Sequence, residues 1–161
     1  TTGSVWFGDH DISAMPEKKL SIFRRRHVGF VFQFYNLIPE LTLRENIVFP
    51  SLLEMNSFDH DTFDKLCETL EITDRLDHRP DQTSGGQQQR AAIARALIMR
   101  PDAILLDEPT GNLDNAASQS VLRLLKNLSE CWQQTVILVT HDQDAAFMAN
   151  RVIYIRDGRL V

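Results

Sequence analysis

With 161 residues the chain is long enough to bury a core and short enough for a single domain. Apolar residues make up 43% and charged residues 24%, as in ordinary globular proteins, and the net charge of −5 argues against a nucleic-acid partner. Two cysteines exclude a disulfide framework or a cysteine metal cluster and fit a reducing cytosol, while no apolar run approaches the ~20 residues of a membrane-spanning helix and no stretch reads as a secretory leader.

In chain order, Val5–Phe7 reads as a strand closed by Gly8 and Asp9. The strand-like opening at Thr1, which is not a methionine, is the expected beginning of a fragment. Ile22–His27 is mixed and basic, and its run Arg24, Arg25, Arg26, His27 is short and without interleaved aromatics, so it is read as a solvated face. Val28–Phe32 is a short apolar run rich in β-formers and predicts a buried strand ending at Gln33. Phe34–Pro50 is read as loop and short helix punctuated by Pro39 and Pro50. Phe63, Leu66 and Leu70 stand at helical spacing within Asp59–Glu71. Gln87–Met99 has strong helix propensity, with Pro101 just beyond it. Ala103–Leu106 predicts a buried strand, and Ala116–Glu130 an amphipathic helix with Val121, Leu124, Leu125 and Leu128 on one stripe. Thr135–Val139 predicts a further buried strand, 143–149 a helix, and Val152–Ile155 a last strand before Asp157 and Gly158. Apolar strands alternating with helices give an α/β fold with a mostly parallel sheet.

Several residues fall where such a fold does chemistry. Ser84, Gly85, Gly86 and Gln87 open a helix. The two glycines permit a tight turn and close approach of a ligand, and free N–H groups backed by the helix dipole face an anion, to which Ser84 can add a hydrogen bond. Alone, a Ser-Gly-Gly run is more often a plain turn; followed by Gln88, Gln89, Arg90 and an Ala-rich helix it points to phosphate. Four apolar residues bury the strand that carries Asp107 and Glu108 to its C-terminal end, the ligand-binding end of an open α/β sheet. Asp107 there suits Mg²⁺, held through water, and Glu108 suits the polarisation of an attacking water; the bland reading is an acidic turn closed by Pro109. Gln33 at its strand end is by itself a surface amide, but one that can reach metal and water without adding charge. Asp114 is a helix N-cap, with contact across a dimer interface as its sharper role. His141 follows the Thr135–Val139 strand, at the same sheet edge as Glu108, within reach of a γ-phosphate. Gly3 and Gly8 have the spacing of a phosphate-binding G-x-x-x-x-G loop, but Asp9 and His10 follow where Lys and Ser/Thr are needed, so this pair is rejected as a cradle.

Taken together these residues resemble the nucleotide-binding domain of ABC transporters. Gln33 matches the Q-loop, Ser84–Gln87 the signature, Asp107 and Glu108 the Walker B motif, Gly111–Asp114 the D-loop and His141 the switch histidine. The stretches GFVFQFYNLIPELTLRENI and LLDEPTGNLD are similar to the subgroup serving lipoprotein release, macrolide export and antimicrobial-peptide export. Thr83 departs from the Leu that usually opens the signature, with little effect expected. The P-loop and the adenine-stacking aromatic of the family do not occur in residues 1–161 and are expected before Thr1.

The resemblance implies a P-loop NTPase-like ABC ATPase fold, with one partial nucleotide-binding domain over 1–161. Residues 34–100 would form the Q-loop and helical signature subdomain, and 101–161 the part from Walker B to the switch histidine. It implies ATP and Mg²⁺ as cofactors, with Glu108, His141 and Gln33 catalytic, Asp107 and Gln33 at the metal, and Ser84, Gly85, Gly86, Gln87 and Asp114 at nucleotide. It implies two copies sandwiching two ATP molecules, a transmembrane permease partner touched by residues 33–47, no nucleic acid, and a cytoplasmic place on the inner membrane face. On this reading the chain is an ABC-exporter ATPase, inactive alone for want of the P-loop. The alternatives are a non-catalytic partner supplying its signature in trans and, ranked below it for lack of sustained heptads within 34–83, a non-transport ABC ATPase.

Overall fold

The computed structural model describes residues 3–54 and 58–161, so the reading of Thr1 and Thr2 lies outside the described residues. The chain opens on an antiparallel hairpin of β1 (Trp6–Phe7) and β2 (His10–Asp11), turned at Gly8 with φ +56°, a left-handed value that suits glycine. Gly8 is a turn residue, which agrees with its rejection as part of a phosphate cradle. The stretch that sequence left as mixed and basic is helical: α1 (Glu17–His27) sends Phe23 inward, edge-on to Phe7 and stacked on His27. Helix α1 runs straight into β3 (Val28–Val31).

Helix α2 (Leu43–Leu52) begins at a capping box in which Thr42 and Glu45 serve each other's backbone N–H. Pro50 lies inside its last turn instead of ending it, because Leu43, Ile47 and Val48 are buried along its length. Asn46, fully buried in the same helix, accepts from Ile38 N and donates to the carbonyls of Ile38, Leu41 and Thr42, stapling the loop before the helix. Helix α3 (His60–Thr69) is capped by Asp59 and buries Phe63, Leu66 and Cys67. Two single turns, Thr73–Arg75 and Pro80–Gln82, lead to α4 (Gly85–Leu97), which is followed by β4 (Ala103–Asp107), α5 (Asn115–Cys131), β5 (Thr135–Val139) and α6 (Gln143–Met148). The chain closes on a hairpin of β6 (Ile155–Arg156) and β7 (Arg159–Leu160).

Three strands form one parallel sheet in the order β3-β4-β5, as the alternation of strands and helices predicts. Its inner face packs Val31, Ile104 and Leu106 against a helical core that includes Ile93 of α4 and Val121, Leu125 and Leu128 of α5. Each such leucine or isoleucine, fully withdrawn from water, contributes about 1.5–3 kcal/mol. The small residues Ala92 and Ala96 let α4 sit close to β3: a Cβ on Gly29 would lie only 2.5 Å from the Ala96 carbonyl oxygen and 2.9 Å from Ile104 Cγ2.

Two strand readings change. The Thr135–Val139 strand, expected to be buried, is buried on one face only, with Ile137 51% and Val139 60% exposed. The described helices cover one side of the sheet, so only alternate residues face the core. Val152–Tyr154 is not a strand: pairing starts at Ile155, where the β6–β7 hairpin supplies the partner.

The arginine run is exposed, as read, but also paired. Arg24 meets Glu17, while Arg25 and Arg26 grip Glu54, whose side chain is only 7% exposed. The Arg26 hydrogen bond, against partial desolvation and with help from Arg25, holds the Glu54 carboxyl below its ordinary 4.5. A carboxyl depressed in the folded state stabilises the fold above the unfolded value and loses that contribution as pH falls through the folded one.

Two outcomes follow. Gly29→Ala forces backbone apart at Ala96 and is expected to destabilise by about 1–3 kcal/mol or more in thermal or urea unfolding. Glu54→Gln is expected to lower the unfolding midpoint at pH 7, and the gap to the parent protein should close as pH falls below about 4; a gap that persists unchanged in acid would show that the charge of Glu54 is not its source.

Candidate functional site

Parallel pairing in register brings three strand ends to one edge. Val31 pairs with Leu106, and Leu106 with Leu138; Asp107 pairs with Val139. The residues just beyond therefore emerge side by side: Gln33 after β3, Asp107 and Glu108 at the end of β4, Thr140 and His141 after β5.

Glu108 is the centre of this edge. Its backbone is left-handed, φ +46°, at a cost of about 1–2 kcal/mol for a residue with a side chain. Hydrogen bonds hold it there: Glu108 N–H donates to Val139 O at 2.9 Å, and Gly111 N–H donates to Glu108 O at 3.0 Å. The carboxylate is turned toward the next strand end. Oε1 lies 2.8 Å from His141 Nδ1 and accepts from the His141 N–H at 3.2 Å, while Oε2 accepts from Thr140 Oγ1 at 3.2 Å. The His141 ring stays 86% exposed, and Glu108 keeps 22% of its side chain in contact with solvent. This is a carboxylate held by an imidazole and a hydroxyl at the C-terminal end of a parallel sheet. Thr140 is an orienting residue that the sequence reading had passed over, though it lies beside His141.

Gln33 joins the same edge from the other side. Asn112 Nδ2 donates to its carbonyl at 2.8 Å, and its amide nitrogen lies 3.0 Å from where a Cβ on Gly111 would stand. The absence of a side chain at Gly111 leaves room for the Gln33 amide. Asp107 is exposed at the end of β4. A carboxylate and an amide oxygen are hard-oxygen ligands that suit Mg²⁺, an ion that takes one or two protein ligands and completes its shell with water and phosphate. Among the described residues no three His, Cys, Asp or Glu side chains converge as a self-sufficient metal site, so any ion here would rely on such outside oxygens.

The Ser84–Gln87 segment is a second, separate group. Ser84 caps α4 with a capping box: its Oγ accepts from Gln87 N–H at 3.3 Å and its own N–H donates to Gln87 Oε1 at 3.0 Å. The cap engages the Gln87 N–H. The helix itself cannot pair the Gly85 and Gly86 N–H groups, and these, with the Ser84 hydroxyl and the Gln87 side-chain amide nitrogen, are the donors available to an anion. Thr83, which stands where leucine is usual, donates its hydroxyl to Pro80 O, and Gln88 Nε2 donates to the Pro80 and Thr83 carbonyls. These bonds fix the approach to the helix. Gly85 and Gly86 rest against Leu113 and Ala117, so α4 starts directly beside the 111–114 loop. Asp114 is the α5 N-cap as expected, accepting from Ala117 N–H at 2.8 Å. The structure thus brings Gln33, Asp107, Glu108 and His141 to the strand-end edge, while Ser84–Gln87 form the start of α4, against Leu113.

A cleft of about 730 Å³ lies at the other end of the sheet, lined by Asp59, Arg100, Asp102 and Trp132 among others. It opens before the N-terminal ends of β4 and β5, away from Glu108, where parallel α/β sheets do not place their ligands.

Residues 1–111 match the family model described as ABC transporter. The chain is 45% identical to the ABC transporter ATP-binding protein YvcR of Bacillus subtilis over 99% of its own length and 62% of that protein's. It is 42% identical to the lipoprotein-releasing system ATP-binding protein LolD of Syntrophus aciditrophicus, over all of this chain and 73% of LolD. It is 46% identical to the macrolide export ATP-binding/permease protein MacB of Marinobacter nauticus, over all of this chain and 25% of MacB. The chain therefore spans between a quarter and three quarters of the length of these relatives. Among solved structures, the dimeric ATP-binding cassette MJ0796 bound to ADP and Pi superposes with a TM-score of 0.84 at 38% identity, covering 99% of this chain and 72% of that one. With its parallel sheet, its strand-end Asp–Glu pair and this degree of identity over nearly its whole length, the chain belongs to the ABC transporter family.

Proposed function

We propose that this chain is part of the ATP-hydrolysing subunit of an ABC exporter in the lipoprotein-release and macrolide-export group. The observation that carries the reading is the Glu108–His141 pair, 2.8 Å apart at the C-terminal edge of the sheet. A carboxylate so placed can take a proton from water as the water attacks phosphorus. His141 keeps that carboxylate oriented and offers its exposed ring to the γ-phosphate. Gln33 and Asp107 would hold Mg²⁺, which supplies charge neutralisation at the phosphates when bound. Asp107 and Gln33 then serve to place the ion, and Glu108 stays free of it.

The Ser84–Gln87 donors open α4 and are not strand-end residues like Glu108, which suits a head-to-tail pair of copies. In that arrangement the Gly85 and Gly86 amides and the Ser84 hydroxyl receive the γ-phosphate bound by the other copy, where developing charge is best met by fixed donors. The dimeric cassettes among the structural relatives support this reading. Residues 34–100 form the subdomain that presents α4, and 101–161 the part that presents Glu108 and His141. The 33–47 segment is the candidate contact to a membrane permease, and a cytoplasmic, peripheral position on the membrane follows from that proposal. No described helix is long and apolar enough to cross the membrane. Residues 1–161 contain no G-x-x-x-x-G-K-S/T sequence of the kind that cradles phosphates.

Two measurements test this. Calorimetric titration with Mg-ATP is expected to show tight binding only for a form extended upstream to include a P-loop; tight binding by residues 1–161 alone would mean that another element holds the phosphates. In the extended form, Glu108→Gln is expected to lower hydrolysis by about 10²–10⁴-fold while Mg-ATP still binds. Hydrolysis near the parent rate would remove Glu108 from its role, and a chain that merely lends its Ser84–Gln87 segment to a complete partner would behave in that way.

A further inference from the structure

Tyr35 follows Gln33 by two residues, inside the 33–47 segment, and is not among the nucleotide-site residues named above. Its backbone is left-handed, φ +59°, and so is that of Asn36, φ +48°. Asparagine tolerates this conformation, but a bulky aromatic does so rarely and needs to be held. Arg95, near the end of α4, holds it. Its guanidinium donates through Nη2 to Tyr35 O at 2.7 Å and through Nη1 to Asn36 O at 2.5 Å. Burial lowers the Arg95 pKa from its ordinary value, so this cation is partly withdrawn from water in order to clasp two consecutive carbonyls.

The other end of Tyr35 reaches the beginning of the same helix. Its hydroxyl lies 3.0 Å from the position a Cβ on Gly85 would take, and Leu113 Cδ2 lies 3.3 Å from it. A larger residue at position 85 would therefore press on Tyr35 and Leu113, in addition to any demand made by a ligand. Tyr35 spans from the Arg95 clasp to the first residue of α4, two residues beyond a Gln33 already held by Asn112 and set against Gly111.

We propose that Tyr35 is a positioning residue: its ring is a strut that makes the Gln33 turn and the phosphate-facing first turn of α4 move as one body. The proposal rests on the ATPase reading above, in which Gln33 serves one nucleotide and Gly85 and Gly86 serve that of the other copy. The strut then links the two nucleotide sites of a pair.

The test uses the upstream-extended, ATP-hydrolysing form. Tyr35→Asn keeps a side chain compatible with the left-handed backbone and removes the strut. It is expected to unfold within a few degrees of the parent and to bind Mg-ATP alike, with kcat about 10-fold lower, KM within about twofold, and reduced cooperativity in ATP. In a Gln33→Ala background the same change should cost no further activity, because Tyr35 acts through Gln33. Gly85→Ala should be impaired, and adding Tyr35→Phe, which removes the obstructing hydroxyl, should recover about threefold or more of kcat and part of the unfolding midpoint. Parent-like kcat in Tyr35→Asn, losses that multiply with Gln33→Ala, or no recovery of Gly85→Ala by Tyr35→Phe would each overturn the strut. If Tyr35→Asn does not fold, the Gly85→Ala and Tyr35→Phe pair decides. A parent form that does not hydrolyse ATP sinks the underlying reading instead, and the unfolding midpoints of the Gly85 pair then judge the contact itself.

Discussion

The register of the β3-β4-β5 ladder governs where every group at the candidate site can be. Parallel strands that start and stop together release their following residues at one edge, and a slip of one residue would turn each side chain to the opposite face. Because Asp107 pairs with Val139, the chain leaves β4 one residue before Glu108 and leaves β5 one residue before Thr140. That coincidence puts a carboxylate against both the hydroxyl and the imidazole that follow the neighbouring strand. The ladder in turn depends on the close seating of α4 on β3, which only glycine at position 29 allows.

Three of the left-handed non-glycine residues lie at or next to this edge, and others occur elsewhere in the fold. Glu108, Tyr35 and Asn36 all adopt a left-handed backbone. Each is restrained by hydrogen bonds from a neighbouring element: Glu108 by Val139 and Gly111, Tyr35 and Asn36 by Arg95. A helical core below the sheet provides the rigidity to hold such conformations. The same core carries α4, so the helix that presents donors to an anion is anchored by Ala92, Ile93 and Ala96 and leaves only its first turn free for a ligand.

The glycines of the Ser84–Gln87 segment have two physical reasons to be small. An anion approaching the first turn needs bare amides, and Tyr35 and Leu113 already occupy the space beside Gly85. The capping box adds a third condition: with Gln87 N–H engaged by Ser84, the helix offers fewer free amides than its first turn contains. The capping box by itself accounts for the serine and the glutamine three residues apart.

Much of this was legible from the residues alone. Helical spacing in Asp59–Glu71 and Ala116–Glu130 and the apolar runs at 28–32, 103–106 and 135–139 located the elements to within a residue or two, because amphipathic stripes and β-rich runs are local signals. Polar residues placed just after apolar strands marked Gln33, Asp107, Glu108 and His141, since a parallel sheet exposes its C-terminal edge. Local sequence was silent on α1, whose basic run hides a single inward Phe23, and on Pro50, which burial keeps inside its helix. It also suggested a two-sided burial for Thr135–Val139 that the described helices provide on one side only. Tertiary structure alone decided that Glu108 turns left-handed toward His141, that Thr140 joins them, and that Arg95 clasps the Tyr35 and Asn36 carbonyls. Those arrangements come from contacts between residues 30 to 60 positions apart, whose distances are set by packing and not by any pattern along the chain.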